Sequence, residues 1–337
     1  MIDRGRPNLR QIAGRLGLSV TTVSRALKDG PEVHPTTIAR VKEAAAAAGY
    51  APNFHGQALR TGRTHTIAVI LPLETRAYLA DLAKVPLIEG MTLAAQENGY
   101  TLSIYSTSPE EDRLKSLERL IQSSSSDGVI ITRMMAQDAR IAFMRQRRIP
   151  FVTFGRSDET DGYAYVDIDN ESMGFEAATR LIAAGHRRIA LQLLSRDDHS
   201  SALRLRGYQQ ALDKAGLPHD PRLVGYDDFT MAASESFFER MLDLSPPPTG
   251  LICANELGLL GAISALRKRN LQPGRDVGIV ARDNTDICRY LSLPVLAHFV
   301  DMAEVGRQIV TALLLQIETP KSPPAQILLR GEFRPHG

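Results

Sequence analysis

From residue 66 onward, runs of uninterrupted apolar residues alternate with longer segments of helical periodicity. No other feature of this 337-residue chain restricts its fold as much. The first run is Thr66-Ile-Ala-Val-Ile-Leu71, and an amphipathic helix from about Tyr78 through Asn98 follows it. Strand-like runs recur at Thr101–Tyr105, Gly128–Thr132, Phe151–Phe154, Arg188–Leu193, Gly250–Ala254 and Val277–Ala281. Helical segments of roughly 10–18 residues separate most of them. A strand that is apolar on both faces must be covered on both, and intervening helices do this. The pattern therefore predicts doubly wound parallel sheets. The runs fall into two sets divided near residue 162, so two similar α/β subdomains with a cleft between them are expected. In such sheets ligands bind in the crevice beyond the C-terminal ends of the strands.

The first 65 residues follow a different rule. Leu9, Ile12, Ala13 and Leu16 recur at i, i+3, i+4 and i+7, one face of a short helix. Gly17 stops that helix, and Ser19 is a good N-cap for the next one, from which Val23 and Leu27 face inward. A third amphipathic segment runs from about Pro35 to Ala48, with Ile38, Val41 and Ala45 on its buried side and Gly49 at its end. Two short helices joined by a tight Gly-containing turn, with a third completing the core, is the helix-turn-helix plan. A generic three-helix bundle shares that plan. The outward residues of the second helix favour the DNA-binding version. Its small residues let the backbone approach a groove, Thr21 and Thr22 suit phosphates or a thymine methyl, and Arg25 can fork onto guanine O6 and N7.

Charge points the same way. Residues 1–65 carry ten Lys/Arg against four Asp/Glu, a net of +6, whereas the remainder carries 30 against 34, a net of −4. A basic head on a mildly acidic body is the footprint of polyanion binding confined to one end. No run of about 18 apolar residues spans a membrane. The polar, basic start has no secretion signal, and the two cysteines, Cys253 and Cys288, read as buried free thiols of a reducing cytoplasm. There is no G-x-G-x-x-G, P-loop, G-x-S-x-G or zinc-helix His pair, so neither an enzyme nor a cofactor or metal is expected.

The stretch Asn8-Leu-Arg-Gln-Ile-Ala-Gly-Arg-Leu-Gly-Leu-Ser-Val-Thr-Thr-Val-Ser-Arg-Ala-Leu27 resembles the headpiece of the LacI/GalR (lactose-repressor) family. Ala48-Gly-Tyr-Ala-Pro-Asn53 and Ala58-Leu-Arg-Thr-Gly62 resemble the end of its third helix and its hinge. The resemblance extends over essentially the whole chain. It implies a helix-turn-helix headpiece over 1–52, a hinge over 53–65 and an effector-binding, dimerising core over 66–337 of the type I periplasmic-binding-protein-like kind. The core's N-subdomain would take about 66–161 and 297–319, and its C-subdomain about 162–296 and 320–337. DNA contacts carried over are Ser19, Val20, Thr21, Thr22 and Arg25, with Asn53, Leu59 and Arg60 in the hinge. Leu59 would be the apolar wedge pushed into the minor groove.

For the effector, the resemblance implies Tyr78, Arg133, Arg156, Arg204, Phe229, Asn255 and Asp283, with Asp169 as a helix cap that is also a candidate contact. Asp283 departs from the family's usual Gly-Tyr-Asp neighbourhood, because here it follows Ala281-Arg282, which adds a charge. An Arg/Asp/Asn set with aromatics suits a neutral polyol. The segment from Thr132-Arg133 through Gly155-Arg156 looks like the alpha-glucoside-responsive branch. The expected partners are palindromic operator DNA, a second copy of the chain and a mono- or disaccharide. The chain ends at Gly337 with no trailing leucine heptad, so a coiled-coil tetramer is not expected. A non-sugar effector such as a purine or a sugar phosphate, corepressor logic, and a solute-binding module or enzyme without a DNA role remain as alternatives.

Overall fold

The computed structural model describes residues 7–27, 29–50, 62–73, 82–108, 110–123, 126–227 and 230–336. The chain divides into two units, residues 1–64 and 65–337. In the first, α1 (Leu9–Leu16) opens with a reciprocal cap. Asn8 Oδ1 accepts from the Gln11 N–H at 3.0 Å, and Gln11 Oε1 accepts from the Asn8 N–H at 2.9 Å. It ends at Gly17, whose φ of 66° is left-handed and costs glycine little. Three residues later α2 (Val20–Ala26) begins, and α3 (Pro35–Ala47) starts with proline at its first turn, where a missing N–H costs nothing. Ile12, Ala13, Val23, Ala26, Val41 and Ala45 form the small core these helices share.

The larger unit holds two six-stranded sheets. The first lobe contains β1 (Thr66–Pro72), α4 (Lys84–Glu97), β2 (Thr101–Thr107), α5 (Arg113–Ser123), β3 (Gly128–Thr132), α6 (Ala139–Arg147), β4 (Phe151–Phe154) and β5 (Ala164–Ile168). The second contains α7 (Asn170–Ala183), β6 (Ile189–Leu193), α8 (His199–Lys214), β7 (Val224–Tyr226), α9 (Met231–Leu242), β8 (Gly250–Cys253), α10 (Glu256–Lys268), β9 (Gly278–Asp283) and β10 (Val295–Phe299). The chain then returns to the first lobe as α11 (Met302–Glu318) and β11 (Gln326–Leu329), and crosses once more to end in the second as β12 (Glu332–His336). The strand orders are β11-β5-β4-β3-β1-β2 and β12-β10-β9-β8-β6-β7. All described pairings are parallel except β10 with β12. The all-α headpiece read from helical periodicity and the doubly wound sheets read from the alternation of apolar runs are the architecture found. Among the described residues no helix is long and apolar enough to cross a membrane. Both cysteines are buried in the second lobe, where burial pushes their thiols up.

The lobe limits differ from those expected. The division near 162 falls later, because Ala164–Ile168 pairs with β4 and β11 in the first sheet. Val295–Phe299 belongs wholly to the second sheet, between β9 and β12, although residues from 297 were expected in the first subdomain. Gln326–Leu329, expected in the second, closes the first. Membership is decided by pairing between distant segments, as with Tyr165 opposite Gln326, and local periodicity carries no record of it. The chain thus passes between lobes three times: after β5, after β10 and after β11. At the first passage Asp169 caps α7 by accepting from the Ser172 N–H at 3.0 Å, and it also accepts from Arg330 Nε of the third passage at 3.1 Å. Asp301 caps α11 at the second, accepting from the Ala303 and Glu304 N–H groups, both at 3.0 Å.

Candidate functional site

In the headpiece, Ser19 Oγ accepts from the Thr22 N–H at 3.0 Å and lies 2.8 Å from Thr22 Oγ1. These two side chains fix the start of α2. Val23 and Ala26 bury its inner side, while Val20, Thr21 and Arg25 are exposed. Thr21 and Arg25, four apart, stand one above the other on the helix. Arg25 pairs with Glu32 at 3.2 Å. Asn53, Leu59 and Arg60 lie outside the described residues.

In the core, a cleft of about 170 Å³ opens between the lobes at the C-terminal ends of the strands. The first lobe contributes Leu71, Pro72, Thr132, Arg133, Met134, Phe154, Arg156 and Asp167 from strand ends, with Lys84 and Leu87 from α4 and Met302 from α11. The second contributes Asn170, Leu194, Asp198, Ser200, Ser201, Arg204, Ala254, Asn255, Arg282 and Asn284. Of the residues carried over by resemblance, Arg133, Arg156, Arg204 and Asn255 line this cleft together. Tyr78 and Phe229 lie outside the described residues.

Arg204 reaches the cleft because α8 crosses α7 at backbone contact. A Cβ on Gly174 would stand 2.2 Å from the Arg204 carbonyl oxygen, and one on Gly207 would stand 1.9 Å from that of Glu171. Only glycine fits that crossing. Arg204 Nε then donates to Asn170 Oδ1 at 2.9 Å and its Nη1 to the Ala254 carbonyl at 3.1 Å. Burial, and next the charge of Arg282, lower this guanidinium to about 9, so it remains a cation at neutral pH. Arg282 Nε donates to Asn284 Oδ1 at 2.9 Å and its Nη1 to the same Asn170 oxygen at 3.4 Å. Asn255 caps α10, its Oδ1 accepting from the Gly258 N–H at 2.9 Å.

On the facing wall, Arg133 has a left-handed backbone, φ 56°, which is uncommon for a residue other than glycine. Its carbonyl oxygen is clamped at 2.9 Å by both Arg113 Nη1 and Arg140 Nη2. Arg140 is itself buried against Asp138, whose carboxyl is desolvated yet kept below its usual range by the Arg140 hydrogen bond and charge. So held, Arg133 crosses the cleft mouth to Asp198 of the second lobe, with Nε at 3.0 Å, and Arg113 Nη2 meets the other oxygen at 3.3 Å. Beside them the His199 N–H donates to the Met134 carbonyl at 2.9 Å. These contacts fasten the two lobes to each other. Arg156 faces Asp167 at 3.6 Å, and burial raises Asp167 to about 6 despite that cation.

Two expected contacts lie elsewhere. Asp169 serves the α7 cap and Arg330, behind the wall. Asp283 is fully buried, and its carboxylate accepts from the backbone N–H groups of Thr285, Ile287 and Cys288 at 3.0, 3.2 and 2.9 Å. Its two neighbours, Arg282 and Asn284, face the cleft instead. Strand alternation makes these exclusive: if 282 and 284 point in, 283 points out. Asn170, Asp198 and Arg282 are three of the polar cleft residues that sequence reasoning passed over. The available signal was their position just beyond or at a strand end.

Comparison with known proteins matches these two regions separately and together. Residues 8–53 match the model of bacterial regulatory proteins of the lacI family, and residues 178–335 match a periplasmic binding protein-like domain. The HTH-type transcriptional regulator AglR of Rhizobium meliloti (strain 1021) is 34% identical over 334 residues, covering 97% of this chain and 92% of that protein. The HTH-type transcriptional regulator CelR of Thermobifida fusca is 29% identical, covering 98% and 97%. Among solved structures, a CelR–cellobiose complex is 27% identical with a TM-score of 0.73 and covers 98% of both chains. The Lac repressor dimer bound to operator and the anti-inducer ONPF, at 23% identity, shares the fold with a TM-score of 0.85 over 98% of both. Headpiece motif, paired sheets and full-length likeness agree: the chain belongs to the lacI family of bacterial regulatory proteins, which are transcriptional regulators rather than enzymes.

Proposed function

We propose that this protein is a repressor that binds a palindromic operator as a homodimer and releases it when a small carbohydrate occupies the cleft. The observation that carries the reading is α2, anchored by Ser19 and Thr22, with Val23 and Ala26 in the core and Val20, Thr21 and Arg25 turned outward. Phosphate contacts set the register of such a helix, and the outward side chains read base edges. Asn53, Leu59 and Arg60 complete the interface in this reading. A twofold dimer matches the symmetry of a palindrome. Exposed Val85 and Leu93 on α4 and Ile104 on the edge strand β2 supply an apolar surface for it. The sugar class is supported by directional polar groups beside the apolar Leu71, Phe154 and Met302, and by the CelR relative, whose solved complex holds cellobiose. If the ligand favours the lobe arrangement that does not bind DNA, operator affinity falls by linkage, and DNA weakens ligand binding by the same factor.

Selection of duplexes from a random pool tests the DNA half. An enriched two-half-site palindrome is expected, and Arg25→Ala should cost about 1–3 kcal/mol and relax discrimination at one base pair of each half-site. Retained discrimination in that variant removes Arg25 from base reading. Failure to enrich any palindrome removes the operator function.

A further inference from the structure

Two helices of the core end in a run of cations, and the two runs are used differently. At the end of α10, Arg267-Lys-Arg269 is spent on carboxylates: Lys268 meets Glu235 at 2.5 Å and Glu239 at 2.7 Å, and Arg269 meets Asp243 at 2.6 Å. At the end of α6, Arg145, Arg147 and Arg148 are all exposed, and none of them reaches a carboxylate among the described residues. Arg145 donates to the Asp161 carbonyl oxygen at 3.5 Å, and Arg147 lies over the Phe143 ring with its Cζ 4.6 Å from the centroid. Both contacts orient a guanidinium without neutralising it. Arg148 occupies the left-handed cap position, φ 55°, which glycine takes at less cost. One cation in the last turn satisfies a helix dipole, and three within four positions exceed it.

The place of this run follows from the register of three strands. The chain enters the larger unit at His65, whose N–H donates to Asp127 Oδ2 at 2.9 Å. The Asp127 N–H donates to the Thr66 carbonyl at 2.8 Å, and the Val129 N–H donates to the Pro150 carbonyl at 3.0 Å. Ile67 lies opposite Gly128 and Val129 opposite Phe151, so β1, β3 and β4 begin side by side. Two strand spacings, about 10 Å, separate the entry point from the start of β4, and Arg148 comes three residues before it. The arginines therefore sit at the end of the first sheet where the chain arrives from the helix-turn-helix unit, opposite the end that lines the cleft. A duplex carries one phosphate charge per about 1.7 Å of its axis, and it is the polyanion that this chain meets in the operator reading.

We infer that Arg145, Arg147 and Arg148 form a second, sequence-independent DNA contact, made to backbone phosphates flanking the operator half-site. The inference rests on the operator reading above and extends the contact beyond the headpiece.

Titration of the full-length protein with two duplexes tests it: the selected palindrome alone, about 20 base pairs, and the same palindrome centred in about 60. The slope of log K against log salt changes by about 0.9 for each phosphate contact. In the long duplex, the triple variant Arg145→Gln, Arg147→Gln, Arg148→Gln should flatten that slope by about 2, one contact from each of two copies, and weaken binding about tenfold at roughly 0.1 M salt. On the bare palindrome it should match the wild type. Base discrimination should be unchanged, unlike in Arg25→Ala, because phosphate contacts carry no sequence information. Lysine at all three positions should keep the slope, and Arg148→Gln alone should take part of the effect. An unchanged Tm of the glutamine variants shows that these exposed substitutions leave the fold intact. Equal slopes for wild type and triple variant in the long duplex overturn the inference, leave the operator reading standing and make an acidic protein the partner that the charge fits. An equal loss on both duplexes overturns the flanking position. If no palindrome is enriched, the operator reading falls, and a long duplex of arbitrary sequence gives the same comparison: a flatter slope in the variant upholds the phosphate contact, and an equal one overturns it.

Discussion

The two lobes of the core share one strand order and differ in what they bury. Among the described residues the first lobe buries six polar or charged side chains and the second thirteen, Asp169 at the passage between them aside. The second lobe therefore supplies the fixed polar floor, Arg204, Asn255, Arg282 and Asn284. The first supplies a mostly apolar wall and the arginines that reach across. Two copies of one topology thus line the cleft with different chemistry, one wall mostly polar and the other mostly apolar. Fold repetition sets where a cleft forms, and side-chain content sets which wall does the recognising.

That contrast can be broken by experiment. Asp283→Ala should have the largest effect, and on stability. Three backbone N–H groups lose their acceptor, at a cost of about 3 kcal/mol, and Tm should fall by roughly 6–12 °C in a calorimetric scan. An unchanged Tm with lost ligand binding would place Asp283 among the contacts. Arg204→Ala should weaken ligand binding about a hundredfold, as truncating a buried, hydrogen-bonded charge does, and Arg156→Ala on the opposite wall about tenfold. The reverse ranking, measured by titration, would move the recognising wall to the first lobe. Asp198→Asn loosens the cross-cleft fastening to Arg133 and Arg113. Ligand affinity should drop about fivefold and scattering should report a wider ligand-free form; an unchanged radius would make that contact incidental. The smallest effect concerns pH. Asp167 has its folded pKa at about 6, above the ordinary 3.8. The folded form takes up the proton first, so this group's contribution is most favourable below the unfolded value and declines as pH rises to about 6. Relative to Asp167→Asn, the wild type should lose Tm across that window; parallel profiles would show that Asp167 ionises normally.

Legibility followed the distance between interacting residues. The headpiece could be read because its determinants are local: Asn8 with Gln11, Gly17, Ser19 with Thr22, and Val23 one turn from Ala26. The paired sheets were visible as apolar runs. Two kinds of information were missing. Strand β9 is buried on both faces, so nothing in Gly278–Asp283 marks which parity meets the cleft, and the choice fell on Asp283 instead of Arg282. Strand β5, Ala-Tyr-Val-Asp-Ile, is too polar to stand out as an apolar run, and its partner β11 lies far along the chain, so the first lobe was ended one strand early. The site's polar network has the same character. Asn170, Ala254 and Arg282 meet Arg204 from three separate segments, and no spacing predicts that meeting.

The three passages between lobes also order the events of synthesis. Every buried residue of the headpiece core is made by Ala45, but the first lobe waits for α11 and β11 and the second for β12. At about 5–20 residues per second, translating the stretch between takes tens of seconds. During that interval a nascent chain carries every buried residue of its headpiece core beside unfinished lobes. Both sheets gain their last strand within the final dozen residues. Both lobes are therefore completed late in the making of each chain, and a stop after residue 325 would strip one edge strand from each lobe while leaving α2 whole.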